Sequence, residues 1–201
     1  MPPAGPAAGV ILAAGASRRM GEAKQLLPLD GRPLLEVAIT AACASTLDAV
    51  VVVLGARSDE IAANVDLGRA RVVINPDYEQ GMSTSLRAGI ASLGPEISRA
   101  VVILGDQPDI DAALIDSLLE AQETSGLPAA ALSFDGLLHP PMVLTRSMWG
   151  NLDALQGDVG LRSLVRSHPE SVFAMPARRP GGHPVDIDTR EDFEQLTRDR
   201  A

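Results

Sequence analysis

Short runs of consecutive apolar, largely β-branched residues recur along the chain, separated by segments of helical length. Residues 10–13, 49–54, 71–74, 100–104 and 129–134 read as strands, and 33–44, 58–64, 83–93 and 111–124 read as helices. Strands that are apolar throughout, without alternation, are buried on both faces, and helices between them favour parallel pairing. The pattern predicts an α/β fold: a three-layer α/β/α sandwich with a mainly parallel sheet. In that architecture the ligand site lies outside the carboxyl ends of the strands. The rhythm breaks after about residue 135. There Pro140-Pro141 precedes an apolar Met142-Val143-Leu144, followed by expected helices near 146–155 and 159–167, a strand at 171–175 and a final helix over 189–197. Asp188 or Thr189 is the expected N-cap of that last helix.

Composition narrows the field. With 201 residues, 46% hydrophobic and 21% charged, the chain suits a single domain with its own core, spanning 1–201. Only residues 1–8, rich in Pro, Ala and Gly, are expected to be disordered. A formal charge of −9 and 2% aromatic residues argue against a nucleic-acid partner, which needs cationic and stacking surface. Cys43 is the single cysteine, so there is no disulfide framework and no CxxC pair for zinc; it is expected as a small buried hydrophobe on a helix. His139, His168 and His183 each precede a proline, which suits extended or turning backbone better than a converging ligand set. The first nine residues lack the basic start of a signal peptide, and no apolar run approaches the roughly 20 residues of a membrane span. No membrane partner is expected, and a cytoplasmic location is.

The loop after the first strand carries the most chemistry. Ala13-Ala14-Gly15-Ala16-Ser17-Arg18-Arg19-Met20-Gly21-Glu22-Ala23-Lys24 holds three cations against one acid inside an acidic chain. It is not a P-loop, because Glu22 follows Gly21 where that motif needs Lys, and no second glycine makes a dinucleotide fingerprint with Gly15. A solvated basic loop is one reading. The other is polyphosphate binding: Gly15 and Gly21 let backbone N–H groups approach anionic oxygens, while Arg and Lys supply fork and point charges.

Two further segments bear carboxylates. Leu104-Gly105-Asp106-Gln107-Pro108 ends the fourth strand, and Val185-Asp186-Ile187-Asp188-Thr189 precedes the last helix. Asp106 is either a turn residue or a ligand for a hard cation such as magnesium, which takes carboxylate and phosphate oxygens together. In a strand, Asp186 and Asp188 would share a face. Asp-x-Asp is also the pattern of aspartyl phosphohydrolases, but there it belongs to the first strand. Between these segments, Asn75-Pro76 leads through Gly81 to Ser83-Thr84-Ser85, a turn into a helix start whose hydroxyls either cap the helix or face a ligand.

The run LAAG-x-S-x-RMG-x-x-K, filled here from Leu12 to Lys24, resembles the signature of the MobA-like nucleotidyltransferases, and Gln25-Leu26-Leu27-Pro28 resembles the branch that cytidylylates the molybdenum cofactor. The resemblance runs from Val10 to Phe193 and implies a Rossmann-like nucleotidyltransferase fold, with about 1–110 binding the nucleotide and about 111–201 the acceptor. It implies that Ala13, Ala14, Gly15, Ser17, Arg19, Gly21 and Lys24 wrap a triphosphate. Gly81 and Ser83 would border the base, and Asp106 and Asp188 would hold Mg²⁺. Arg19, Lys24 and Asp106 would form the catalytic set; Arg18 falls on a variable position. His139-Pro140 and Asp158-Val159-Gly160-Leu161-Arg162 are similar to the family's acceptor segments, with Leu138 and Leu161 replacing a glycine and an alanine. Arg190 stands where the family often has Pro. The implied reaction transfers CMP from CTP to molybdopterin, for a xanthine-dehydrogenase-type apoenzyme. GTP with the same acceptor, other phosphorylated acceptors, and a non-catalytic cofactor carrier stay open.

Overall fold

The computed structural model describes residues 5–158, 160–177 and 186–200. In chain order its elements are β1 (Ala7–Leu12), the hairpin of β2 (Pro28–Leu29) and β3 (Arg32–Pro33), α1 (Leu34–Ala44), β4 (Ala49–Leu54), α2 (Ser58–Asn64) and β5 (Arg71–Ile74). There follow α3 (Met82–Ala91), β6 (Arg99–Leu104), α4 (Ala112–Ser125), β7 (Ala129–Phe134), β8 (Leu137–Thr145), α5 (Leu161–Ser167), β9 (Val172–Pro176) and α6 (Arg190–Arg200). Seven strands make one sheet in the order β5-β4-β1-β6-β8-β7-β9, and only β8 runs against the rest.

Successive side chains of a strand point to opposite faces, and the sheet sorts its core accordingly. Ile11, Val50, Val52, Val101 and Ile103 meet Leu35, Ile39, Ile61, Ile115 and Leu118, which belong to α1, α2 and α4. Val10, Val51, Val53 and Val102 meet Leu86, Leu152, Leu164 and Val165, from α3, the 3-10 stretch Arg146–Ala154 and α5. The expected three-layer sandwich results. A third, smaller cluster joins Leu27, Leu29 and Leu34 to Ile187 and Leu196, and so ties α6 to the β2–β3 hairpin.

Several local expectations change. β1 begins at Ala7, inside the stretch that composition marked as disordered; Ala7 and Ala8 are almost wholly buried because the central strand needs small residues there. Residues 1–4 of that stretch, Val159, His183 and Val185 lie outside the described residues. β5 is an edge strand with Arg71 and Ile74 exposed, so its apolar run does not mean burial on both faces. The segment 146–155 forms a 3-10 stretch in place of an α-helix. Cys43 is only partly buried on α1. His139, Pro140 and Pro141 lie within β8, where the pairing to β7 shifts register between Ala131 and Leu132 and the pairing to β6 has ended. The prolines, which lack an N–H, thus sit where no ladder bond is required.

α3 approaches the sheet closely at Gly89, where a Cβ would lie 2.4 Å from Val10 Cγ1 and 3.0 Å from Val53 Cγ2. Alanine favours a helix over glycine by about 1 kcal/mol, but overpacking against stiff β-branched neighbours costs about 1–3 kcal/mol. Gly89→Ala is therefore expected to lower stability in equilibrium urea unfolding; a rise would show that α3 can move off the sheet.

Candidate active site

The site is built at the carboxyl ends of β1 and β6. The loop leaving β1 is held by a buried amide: Gln25 Nε2 donates to the carbonyls of Ala13 (2.8 Å) and Gly15 (3.0 Å). Ser17 turns the chain with φ of +50°, rare for a residue with a side chain. Its carbonyl accepts from Met20 N and Gly21 N, and its Oγ accepts from Lys24 N at 3.2 Å. Gly21 has φ of +73°, and a Cβ at Gly15 would meet nothing within 4 Å, so the Gly15 backbone is open to a ligand. The loop's anchorage and its exposed glycine leave Lys24 pointing inward.

Asp106 follows Gly105, whose N donates to the Leu12 carbonyl at 3.0 Å and whose missing Cβ admits Leu35 and Ala13. That close approach brings Asp106 beside Lys24. Lys24 Nζ donates to Asp106 Oδ2, to the Ile187 carbonyl at 3.1 Å and to Asp188 Oδ1 at 3.4 Å. Lys24 and Asp106 retain only 18% and 15% side-chain exposure, whereas Asp188 is 46% exposed. Arg19 Nη2 lies 3.0 Å from the other oxygen of Asp188. Arg18 pairs instead with Glu79 on the exposed rim, a contact worth little in water.

The C-terminal segment reaches this point because Ile187, fully buried, fills the small cluster with Leu27, Leu34 and Leu196. Residues 186–188 are irregular, so the expected strand pairing of Asp186 with Asp188 is replaced by divergence. Asp188 faces Lys24, while Asp186 Oδ1 accepts from Gln107 Nε2 at 2.7 Å. Nor does Asp188 cap α6. Thr189 does, its Oγ1 accepting from Asp192 N at 3.2 Å while Asp192 Oδ2 accepts from the backbone of Asp188 and Thr189. The Thr189 hydroxyl and these amides hold the Asp192 carboxyl below the ordinary carboxylate value. Arg190 opens α6 and reaches Glu22 of the loop at 2.6 Å.

Burial pushes the Asp106 carboxyl above its ordinary value; Lys24 opposes the rise and Asp186 adds to it. Two carboxylates and one carbonyl therefore converge on a single cation, which is the hard-oxygen donor set a divalent ion would take. Among the described residues no three His, Cys, Asp or Glu side chains form a metal cluster, so such an ion would need oxygens from its ligand as well.

A cavity of about 190 Å³ opens over Ala13, Ala14, Gly15, Lys24 and Asp106, and Tyr78, Met82 and Ser85 wall its far side. Gly81 and Ser83 are not among the residues lining this cavity. Gly81 has φ of +106° and a Cβ there would lie 2.2 Å from the Gly157 carbonyl carbon; Ser83 N donates to the Gly157 oxygen at 3.1 Å. Both lock the start of α3 to the loop carrying Asp158. A second cavity, about 340 Å³, is lined by Pro140, Asp158, Gly160, Arg162 and Arg166, and shares Leu12, Met82, Leu104 and Asp158 with the first. His139 stands behind it and accepts from Arg162 at 3.0 Å through Nδ1.

Sequence reasoning passed over Gln25, Gln107, Tyr78, Met82, Arg166 and Asp186 as site-forming residues. Gln25 and Gln107 directly follow Lys24 and Asp106, and a polar residue flanking a buried functional one is a usable signal. Tyr78, Met82 and Arg166 carried none, since helix and turn composition explains them equally well.

A mainly parallel sheet with a cationic, glycine-bearing loop and converging carboxylates at its carboxyl end matches the Rossmann-like nucleotidyltransferase class of α/β fold. The family model for the MobA-like NTP transferase domain matches residues 9–172, and the chain belongs to that family. Nicotine blue oxidoreductase of Paenarthrobacter nicotinovorans is 34% identical over 198 residues, covering 94% of this chain and 95% of the relative. Purine catabolism protein PucB of Bacillus subtilis is 30% identical with the same coverage. Molybdenum cofactor cytidylyltransferase of Escherichia coli is 30% identical over 102 residues, half of this chain and 52% of its own. Among solved structures, Rv0371c of Mycobacterium tuberculosis in complex with manganese superposes with a TM-score of 0.82 at 27% identity, over 96% of this chain and 98% of that one. No helix among the described residues is long and apolar enough to cross a membrane.

The upward shift of Asp106 sets the sign of a stability test. A carboxyl whose folded value is raised contributes most stability below its ordinary value of 3.8 and loses it as pH rises through the folded value. Asp106→Asn mimics the protonated form. At pH 7 it is expected to melt above the wild type, with the gap closing as the pH falls through the raised folded value towards 3.8. A lower Tm at pH 7 would show that the Lys24 pairing outweighs desolvation.

Proposed function

We propose that the chain transfers CMP from CTP to the terminal phosphate of molybdopterin, releasing pyrophosphate and forming the cytosine dinucleotide cofactor destined for a xanthine-dehydrogenase-type apoenzyme. The observation that carries the reading is the continuity of the two cavities. One holds Lys24 and Asp106, the other Arg162 and Arg166, and they meet at Leu12, Leu104 and Asp158. A triphosphate in the first would present its α-phosphorus towards an anionic acceptor in the second. The cytidylyltransferase relative supports the choice of base and acceptor.

In this reading Lys24 and Arg19 exchange their carboxylate partners for phosphate oxygens. Ala13, Ala14 and Gly15 line the nucleotide side, and Ser17 and Gly21 shape the loop. Asp106 and Asp188 would hold Mg²⁺, which supplies charge neutralisation along the triphosphate when bound. The acceptor phosphate is already ionised near neutral pH, its second pKa being about 6, so no general base is required. One of its oxygens forms a bond to the α-phosphorus as the bond to the bridging oxygen breaks, and pyrophosphate carries the electron pair away. Pro140, Asp158, Gly160 and Arg162 surround the acceptor. The protein contributes positioning and charge stabilisation.

The deciding assay is pyrophosphate release from CTP, GTP, ATP and UTP, each with and without molybdopterin. CTP with molybdopterin is expected to be the productive pair. GTP in its place would move the chain to the guanylyl branch. Stoichiometric pterin binding with no pyrophosphate would make it a carrier, and no pyrophosphate with any nucleotide and acceptor would overturn nucleotidyl transfer. Asp106→Ala should lose about 3–4 kcal/mol of transition-state stabilisation, a few hundred-fold in rate, while remaining folded. Retained turnover would remove Asp106 from the machinery.

Lys24 also competes for the carboxylates that would take the ion. Lys24→Met is expected to bind Mn²⁺ more tightly than the wild type in the absence of nucleotide, read by the free-ion electron paramagnetic resonance signal, while its affinity for CTP falls. Unchanged Mn²⁺ affinity would show that Asp106 and Asp188 do not share an ion.

A further inference from the structure

Beside the Lys24 cluster runs a second polar chain that nucleotide binding does not use. Gln107, next to Asp106 at the end of β6, is 1% exposed, and its Nε2 donates to Asp186 Oδ1 at 2.7 Å. The other oxygen of Asp186 lies 3.7 Å from Arg162 Nη2, and that same nitrogen donates to His139 Nδ1 at 3.0 Å. Guanidinium has no acceptor, so His139 receives this bond through an unprotonated Nδ1. Arg162 of α5 therefore meets β8 and the segment before α6 directly, and the loop after β6 through Asp186.

The contact sites matter. His139 and Asp186 both engage Nη2, and the arginine they hold is one that lines the second cavity. A free arginine is rich in rotamers, and a fork already held in place loses less of that freedom when it binds an anion. A neutral amide also suits its place. Gln107 can donate to Asp186, whereas a carboxylate there would repel it.

We propose that Gln107 and Asp186 are positioning residues that hold the Arg162 guanidinium in the acceptor cavity, ready for the attacking phosphate. The proposal rests on the nucleotidyl-transfer reading for the ligand's identity, but the positioning itself is a property of the free protein. It links acceptor binding to the strand end that carries Asp106, since Asp106 and Gln107 are adjacent.

The test measures ¹⁵N relaxation of arginine Nε in the full-length chain, the Arg162 signal being assigned by its loss in Arg162→Lys. In the wild type Arg162 is expected to be rigid on the nanosecond scale. It should become mobile in Gln107→Met, which removes the donor, and in Asp186→Asn, which keeps the acceptor but not the charge. Should Gln107→Met fail to fold, Asp186→Asn decides alone. In the assay with CTP, both variants should raise the KM for molybdopterin about tenfold, a loss of about 1.4 kcal/mol, with KM for CTP and kcat within about twofold. An Arg162 as mobile in the wild type as in the variants, or equally rigid in all, overturns the proposal, as does a loss confined to kcat. If the wild type releases no pyrophosphate with any acceptor, the nucleotidyl-transfer reading fails while the relaxation data still decide whether the relay positions Arg162.

Discussion

One ammonium group organises this molecule's functional end. Lys24 Nζ is held by Asp106 from the end of β6, and by the Ile187 carbonyl and Asp188 from the segment before α6. Two carboxylates that would repel each other are kept together by a cation between them. Burial pushes the Asp106 carboxyl above its ordinary value while Lys24 opposes the rise, so desolvation works against the charge that the pairing favours. Sites that bind charged ligands commonly carry such local instability, and stabilising substitutions there tend to remove function.

The rest of the fold can be read as support for that contact. The β1–β6 pairing fixes the two strand ends in register, Leu12 opposite Leu104. Gln25 then folds the intervening loop over β1, and the missing side chain of Gly105 lets the strand ends press against α1. The carboxyl-terminal segment is brought in by packing: Ile187 enters the cluster between the β2–β3 hairpin and α6, and Asp188 follows it. Apolar burial thus places the carboxylate that electrostatics alone could not afford to place. The second cavity depends on different neighbours, with Gly81 and Ser83 locking the start of α3 to the loop of Gly157 and Asp158.

Legibility in the sequence followed the physics of each element. Buried parallel strands such as 49–54 are nearly uniform in hydrophobicity, so they and the helices between them could be placed within a residue or two. Small residues misled: Ala7 and Ala8 look like a loose terminus, yet they are buried in a central strand, Ala8 opposite Ala49 on one side and Ala100 on the other. β5 misled in the opposite sense, since an edge strand can be apolar without being buried on both faces. For the site, Lys24, Asp106 and Asp188 were singled out by the family resemblance, since a carboxylate at a strand or helix end reads equally well as a turn or cap residue. Their convergence, and the separation of Asp186 from Asp188, were not legible. Those depend on how residues far apart in the chain pack around Ile187, which no local pattern encodes. Gly81 shows the same limit: its close approach to the Gly157 backbone left no local signature in the sequence beyond the glycine itself.

The central claim is that Lys24, Asp106 and Asp188 together form a site for a triphosphate and its divalent ion. Calorimetric titration of CTP into the wild type and into Asp188→Ala, each with and without Mg²⁺, tests it directly. The account predicts saturable binding to the wild type that depends on Mg²⁺ and is lost in the variant. Binding of equal strength without the ion, or undiminished in Asp188→Ala, would contradict it.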